Sequence, residues 1–308
     1  MLRCRFNLVL VLSLVLPAGC GRHWLAEAIV TVPHTSGPSD PGPGAAEQPP
    51  RGRKIDGSMR VTVGPPTASL SLRVVEPDTF PVPRGAILVL HGLWSRKQHM
   101  AGRGRWFADH GYRAVLVDLR GHGASSGRWG SFGVLESRDL VQVLDALEAD
   151  GIRVEPVGVF GPSWGGAAAL QLAAIDPRVR AVVTVSTFTS MREIVPLYID
   201  RYAPWLGVVI SDIQLAAAID QAGRLAGFDP DDADSLRAAA ATDAQILFVH
   251  GADDANVPLD HGRALYRRAA GHSELLIIRD ADHRSIMRGE KGQLVIERAT
   301  AWFDRWLE

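Results

Sequence analysis

Val157-Gly158-Val159-Phe160-Gly161-Pro162-Ser163-Trp164-Gly165-Gly166-Ala167-Ala168-Ala169-Leu170 reads as strand, sharp turn and helix. Val157 to Phe160 is a short apolar run suited to a buried strand, and Trp164 onward is a good helix start. The turn carries GxSxG spacing, which is weak alone in a chain with 31 glycines among 308 residues. Context gives it meaning. The glycines permit a tight turn and close helix-to-strand approach, and Ser163 is pushed into a strained position above the sheet. The N–H of Trp164 then lies at a helix N-terminus, where it can stabilise an oxyanion. A second GxSxG string, Gly123-Ala124-Ser125-Ser126-Gly127, lies beyond its strand with no helix continuing it, and reads as a loop. Ser163 is the candidate nucleophile.

Working outward, further short runs rich in Val, Ile and Leu predict strands at Ser69 to Val75, Ala86 to Leu90, Ala114 to Val117, Ala181 to Val185, Ile246 to Val249 and Leu275 to Ile278. Helical segments are expected at Gln98 to His110, Leu135 to Asp150, Trp164 to Ile175, Asp260 to Ala270 and Leu294 to Leu307. Continuous apolar strands separated by helices imply an α/β fold with a mostly parallel sheet covered on both faces. In such sheets, reacting groups gather at the carboxyl ends of the strands.

Four separated motifs at those ends resemble the α/β-hydrolase fold superfamily, nearest its bacterial esterase and S9/S33 peptidase-like branches. His91-Gly92-Leu93-Trp94 is similar to the oxyanion loop, implying that the N–H of Leu93 acts with that of Trp164. Asp118-Leu119-Arg120-Gly121-His122-Gly123-Ala124-Ser125 resembles the D-x-R-G-H-G-x-S loop, which accounts for the second GxSxG string. The elbow at Ser163 is the third. The fourth, His250-Gly251-Ala252-Asp253-Asp254-Ala255-Asn256-Val257-Pro258, resembles the segment whose aspartate orients the catalytic histidine. The alignment implies Asp254, with Asp253 the alternative, and places the histidine at His283. Ser163, Asp254, His283 is the chain order expected for this fold. Histidine would take the serine proton while the carboxylate fixes its tautomer. His91, His122 and His250 read as loop-holding hydrogen bonders. The resemblance implies an α/β-hydrolase fold with a small helical cap, and a serine hydrolase working through an acyl-enzyme without a cofactor. Serine at the elbow separates the chain from relatives that carry aspartate there. A peptidase or acyltransferase would use the same triad, and a binding protein could keep the fold without turnover.

Composition bounds the alternatives. The chain is 46% hydrophobic and 22% charged, with 33 Lys+Arg against 34 Asp+Glu and a formal net charge of −1. This predicts a globular core and offers no clustered positive field for nucleic acid. Its two cysteines, Cys4 and Cys20, cannot cross-link the body, and no HExxH or CxxC metal pattern occurs. Arg3 and Arg5 precede the mainly apolar run Leu8 to Leu16, which is far shorter than the about 20 residues of a spanning helix. With Pro17-Ala18-Gly19-Cys20 it reads as a signal peptide over residues 1–19. Ala18-Gly19-Cys20 resembles a lipobox end, so Cys20 is the candidate acylated residue of a membrane-anchored, extracytoplasmic lipoprotein. Ordinary cleavage at Ala26-Glu27-Ala28, giving a secreted or periplasmic chain, is the alternative. Residues 20–57 hold this attachment region and a tether, Pro33 to Lys54, rich in Pro and Gly. The hydrolase domain is expected over 58–308.

Residues 187–243 are too long for a simple crossover and read as the cap, with Met191, Ile194, Leu197, Tyr198, Trp205, Leu206, Val208 and Val209 making it partly apolar. Trp94, Trp129 and Trp205 are candidate substrate-binding residues. With Trp164 they suggest a pocket for a small-molecule or lipid-like acyl group; the alternative is that they pack cap to sheet. The acidic run Asp229 to Asp234 lacks the residues of a calcium loop and reads as a solvated lead into a helix at Ser235 to Ala241.

Overall fold

A computed structural model describes residues 18–32 and 57–308, with side chains from His23 onward. Charged and apolar residues 3–16 of the expected leader, and the Pro-rich tether from Pro33, lie outside the described residues.

Eight strands form one sheet: β1 (Gly57–Val63), β2 (Ala68–Val75), β3 (Ala86–Val89), β4 (Arg113–Val117), β5 (Val157–Pro162), β6 (Val179–Val185), β7 (Gln245–Gly251) and β8 (Ser273–Ile278), in the spatial order β1-β2-β4-β3-β5-β6-β7-β8. β2 is antiparallel to both β1 and β4, and every pairing from β4 to β8 is parallel. The parallel strands are apolar at nearly every position because both their faces are covered. In β3, Ala86 and Leu88 point to one core while Ile87 and Val89 point to the other, following the two-residue period of a strand.

On the first face lie α3 (Val134–Ala149), α4 (Trp164–Ile175), α8 (Ser235–Ala241) and α9 (Leu259–Arg268). On the second lie α2 (Ala101–Asp109) and α10 (Gly289–Trp306), where Phe107 meets Phe160 and Phe303 edge to face, with ring centroids 5.8 and 5.5 Å away. Helix α4 is buried almost throughout and has no polar side, which is why it sits centrally against the sheet. This is the expected mostly parallel α/β sheet with helices on both faces. One strand was not foreseen: β1, a half-exposed edge strand that alternates inward Val61 and Val63 with outward Thr62.

Between β6 and α8 three helices form the cap: α5 (Met191–Tyr202), α6 (Pro204–Val209) and α7 (Asp212–Ala226). Ser190 and Ser211 accept N–H bonds at the starts of α5 and α7, and Gly227 in the left-handed region ends α7. The acidic run is absorbed by local structure. Asp229 caps a short 3-10 turn, Asp234 caps α8, and Arg192 and Arg237 pair with Asp231 and Asp232.

Residues 18–32 pack against the body. Ala18–Val30 forms a helix, α1, that includes position 20 and lies against α7. Leu25 joins Leu206 and Ala218 in an apolar cluster, while Ala26 and Val30 enter the main core. The segment is also stitched to the body: Gly130 N–H donates to the Val30 carbonyl (2.9 Å), Thr31 bridges Trp129, and Arg128 pairs with Glu27 at 2.9 Å.

Candidate active site

The chemistry-bearing loops all leave the carboxyl ends of neighbouring parallel strands. After β5 the chain turns at Ser163, whose φ of 50° and ψ of −113° lie outside the regions ordinary residues favour. The conformation is held by the Ser163 N–H bond to the Val185 carbonyl (2.7 Å) and by α4 starting at the next residue. Only glycine fits the flanks. A Cβ on Gly165 would lie 2.7 Å from the His91 carbonyl oxygen, and one on Gly161 would collide with the Gly165 backbone. Ser163 is buried, at 7% exposure.

After β3, His91 is buried and its role is structural. The Leu119 N–H donates to His91 Nε2 (3.0 Å), so Nδ1 carries the proton and donates to the Gly92 carbonyl (2.8 Å). Burial, with the nearby His122 ring, lowers its pKa to about 3, so it stays neutral. This pins the loop carrying Leu93. Among the described residues, neither the Leu93 nor the Trp164 backbone N–H has a protein hydrogen-bond partner.

The D-x-R-G-H-G loop is a clamp. Buried Asp118 accepts from the Lys97 N–H (2.6 Å), Lys97 Nζ (2.6 Å) and the Ala124 N–H (2.9 Å). Arg120 forks onto Asp139 at 2.9 and 2.6 Å. Ser125, the serine of the second GxSxG string, donates to the Asp118 carbonyl (2.6 Å) and accepts from the Ser71 N–H (2.8 Å). Both capacities of its hydroxyl are used for holding the loop.

After β7, Asp254 is buried and Asp253 exposed. Asp254 Oδ2 accepts from His283 Nδ1 at 2.8 Å, and its Oδ1 accepts the N–H groups of Asn256 and Val257, each at 2.9 Å. Burial pushes this carboxyl up, but the bond and charge of His283 and the Val257 N–H outweigh it, leaving the pKa below the usual value. His283 follows β8, and its Nδ1 contact leaves Nε2 as the free ring nitrogen for a substrate-side proton. His250 sits beneath, its Nε2 bonding the Val257 carbonyl (2.8 Å), with its pKa lowered mainly by burial.

One contact had no local signal in the sequence. Tyr198, on α5, is partly buried against the core; burial pushes its phenol pKa up, and the neighbouring Ser163 hydroxyl partly offsets this. The sequence marks Tyr198 only as one of several apolar cap residues that line a pocket or pack cap to sheet. The expected aromatic pocket is distributed differently. Trp164 is in the core, its ring 4.5 Å from Phe132 and 6.5 Å from Phe188. Trp129 lies under Arg128 (4.1 Å) beside the N-terminal segment. Trp94 is half exposed next to Leu93 with φ of 59°, and Trp205 is half exposed on α6. Among the described residues, no cluster of three or more His, Cys, Asp or Glu could hold a metal, and no helix is long and apolar enough to cross a membrane.

The family model "Serine aminopeptidase, S33" matches residues 81–229, which span the Leu93 loop, the elbow and the cap helices but end before Asp254 and His283. An uncharacterized abhydrolase domain-containing protein of Dictyostelium discoideum is 34% identical over 107 residues, 33% of this chain and 10% of that protein. An uncharacterized 31.7 kDa protein from the traX-finO intergenic region of Escherichia coli is 29% identical over 118 residues, 36% of this chain and 41% of that one. The chain thus matches less than half the length of either curated relative. Among solved structures, a Pyrococcus furiosus esterase superposes with a TM-score of 0.65 at 18% identity, covering 91% of this chain and 98% of its own. The acylaminoacyl peptidase of Pyrococcus horikoshii gives 0.57 at 17% identity, over 82% of this chain and 42% of its own. With the sheet order and the loops above, these likenesses establish the α/β-hydrolase fold, and the family-model match supports a hydrolase of that superfamily.

Proposed function

We propose that the protein is a serine hydrolase that cleaves a carboxylic ester through an acyl-enzyme. The observation that carries this reading is the 2.8 Å Asp254–His283 bond at the same sheet edge as the left-handed Ser163 elbow. Ser163 Oγ attacks the carbonyl carbon and its proton passes to His283 Nε2. The Leu93 and Trp164 N–H groups stabilise the oxyanion, and His283 returns the proton to the departing alcohol. Water then repeats the sequence on the acyl-enzyme. Asp254 stays ionised, fixes the tautomer and stabilises the imidazolium.

The family model favours one second reading, cleavage of peptide amides by the same groups. A panel of acyl esters and aminoacyl amides separates the two: the ester reading expects ester kcat/KM to exceed that of matched amides by orders of magnitude. Amide turnover equal to ester turnover would replace it. In either case Ser163→Ala should lower kcat by about 10³-fold or more; a smaller loss would refute both.

We further propose that Cys20 is acylated and the domain is held outside the cytoplasm. Removal of residues 1–19 would leave nearly all of α1, whereas cleavage after Ala28 would discard Leu25 and Ala26, which are buried against cap and core. Intact mass of the mature chain tests this, with an N-terminal diacylglyceryl cysteine expected and an N-terminus at Ile29 contradicting it.

A further inference from the structure

The outer side of the cap carries an apolar surface that neither the fold nor the proposed chemistry requires. From the end of α5 to the first turn of α7, Tyr202, Trp205, Val208, Val209 and Ile213 are all exposed, Val208 at 86% and Ile213 at 84%. The segment Ala203 to Ser211 contains no charged residue. Large apolar side chains scattered singly are ordinary on protein surfaces, but five within twelve consecutive positions form a patch. Its inner neighbours are accounted for: Leu206 is buried with Leu25 and Ala218, and Ala203 and Ile210 pack on them. The outward residues are left over after the cap has packed.

Two further observations say what the patch meets. First, it adjoins the site. Tyr198 neighbours Ser163 closely enough to feel its hydroxyl, and the Tyr202 ring stands one turn away from Tyr198, centroids 5.9 Å apart, so the patch begins one turn of α5 from the nucleophile's neighbour. Second, the chain enters the body along this cap. Helix α1 lies on α7, with Leu25 in the same cluster as Leu206 and with His23 bonded to Gln221 (3.4 Å). The seventeen residues that precede α1 outside the described structure include the apolar run Leu8 to Leu16. Position 20 lies in the first turn of α1, the helix that packs on α7, so an acyl chain there would sit on the cap side of the molecule.

We propose that the cap surface Tyr202–Ile213 docks on a lipid bilayer and that Ser163 draws its substrate, a long-chain acyl ester, from that bilayer. A patch whose only charged residue is Asp212 at its edge, with Trp205 and Tyr202 beside aliphatic side chains, suits the boundary between headgroups and acyl chains, where amphipathic rings concentrate. A membrane anchor at α1 raises the local concentration of the patch at the bilayer, so a surface too weak to bind alone binds once tethered. The substrate part of this proposal rests on the hydrolase reading; the docking part does not.

The test is hydrogen exchange on the full chain, alone and with vesicles of phosphatidylethanolamine and phosphatidylglycerol, followed by peptides covering 202–213. Exchange there should slow by about tenfold on vesicles, and nearly equally on phosphatidylcholine vesicles and in high salt, because the contact is made by apolar side chains and Asp212 is its one charge. A V208D/I213D variant should lose that protection while remaining vesicle-associated through its N-terminus. It should also hydrolyse a short water-soluble ester as the parent does, but turn over a long-chain ester presented in vesicles at least about fivefold more slowly. Unchanged exchange on vesicles overturns the docking surface. So does protection that appears without lipid, either rising with protein concentration, which would mean a second copy covers the patch, or independent of it, which would mean the chain's own leader does. Intact mass reports acylation of Cys20 separately, and fluorophosphonate labelling of Ser163 reports the hydrolase reading separately. Vesicle protection in an unlabelled protein would keep the surface and discard the substrate.

Discussion

At Gly165 a single added methyl group would lie 2.7 Å from a backbone oxygen, whereas nine residues of the cap, Ala203 to Ser211, leave Trp205, Val208 and Val209 exposed to solvent. The two regions are built under opposite constraints. At the elbow, backbone meets backbone, the serine sits at a positive φ, and the loop beneath is clamped by His91, Asp118 and Arg120. Cores packed this densely transmit any added volume as strain. In the cap, α5 and α7 send Met191, Ile194, Ile219 and Ala222 into the main core, while Trp205, Val208, Val209 and Ile213 are left exposed. The candidate reacting groups are thus held by tightly packed loops at the sheet edge, while the cap's outer positions are free to vary without disturbing them.

That contrast can be broken in several places. The largest effect is expected at the elbow. Gly165→Ala should destabilise the fold by about 1–3 kcal/mol through overpacking and abolish turnover by moving Ser163; a variant with normal melting and activity would show that the elbow is not held rigidly. Asp254→Asn should lower kcat by about 10³–10⁴-fold, since the imidazole loses its partner. It also carries a pH signature. The Asp254 carboxyl is depressed in the folded state, so its stabilising contribution is fully present above the unfolded carboxyl value of about 3.9 and is lost as pH falls through the lower folded value. The difference in Tm between parent and Asp254→Asn should therefore be constant near neutrality and shrink below about pH 4; a constant difference down to acid pH would place the effect in packing.

Smaller effects are expected in the cap. Leu25→Ala should cost about 2–3 kcal/mol of α1 docking, read as faster exchange in α1 and α7, with the short-ester kcat nearly unchanged. Equal losses in cap and sheet would mean the two regions are one cooperative unit. Tyr198→Phe removes one hydroxyl and no volume. It should change kcat/KM by about threefold to tenfold, the value of one hydrogen bond of about 1 kcal/mol, and leave Tm within about 1 °C. A loss comparable with Asp254→Asn would move Tyr198 from the cap into the reacting machinery.

How much was legible follows the same division. The strand, turn and helix at Ser163 are local, and so are the seven apolar strands with their short, continuous runs; periodicity and turn chemistry suffice for these. The Asp254–His283 pairing was reached through motif resemblance, and the choice between Asp253 and Asp254 needed the fold, which buries one and exposes the other. β1 escaped because an edge strand with Gly57, Ser58 and Arg60 has too few apolar residues to stand out from the tether before it. The aromatic residues were legible as apolar and illegible in direction. Trp164 turns inward behind the elbow, Trp129 toward the N-terminal segment, and Tyr198, not a tryptophan, reaches the serine. Nothing at i±4 in a cap helix encodes which loop of the sheet it will face. Helix α1 was hidden for a different reason. Residues near a processing site were read for their targeting signal, although Leu25, Ala26 and Val30 at helical spacing also mark a buried face.

The central claim is that Ser163 is an activated nucleophile, and covalent labelling tests it without any knowledge of the substrate. The full chain treated with a small alkyl fluorophosphonate at neutral pH, digested and analysed by tandem mass spectrometry, should carry one phosphonyl adduct, on Ser163. It should be absent from Ser163→Ala and formed at least about 100-fold more slowly in Asp254→Asn. An adduct on Ser125, or a folded parent with no adduct at all, would contradict the account.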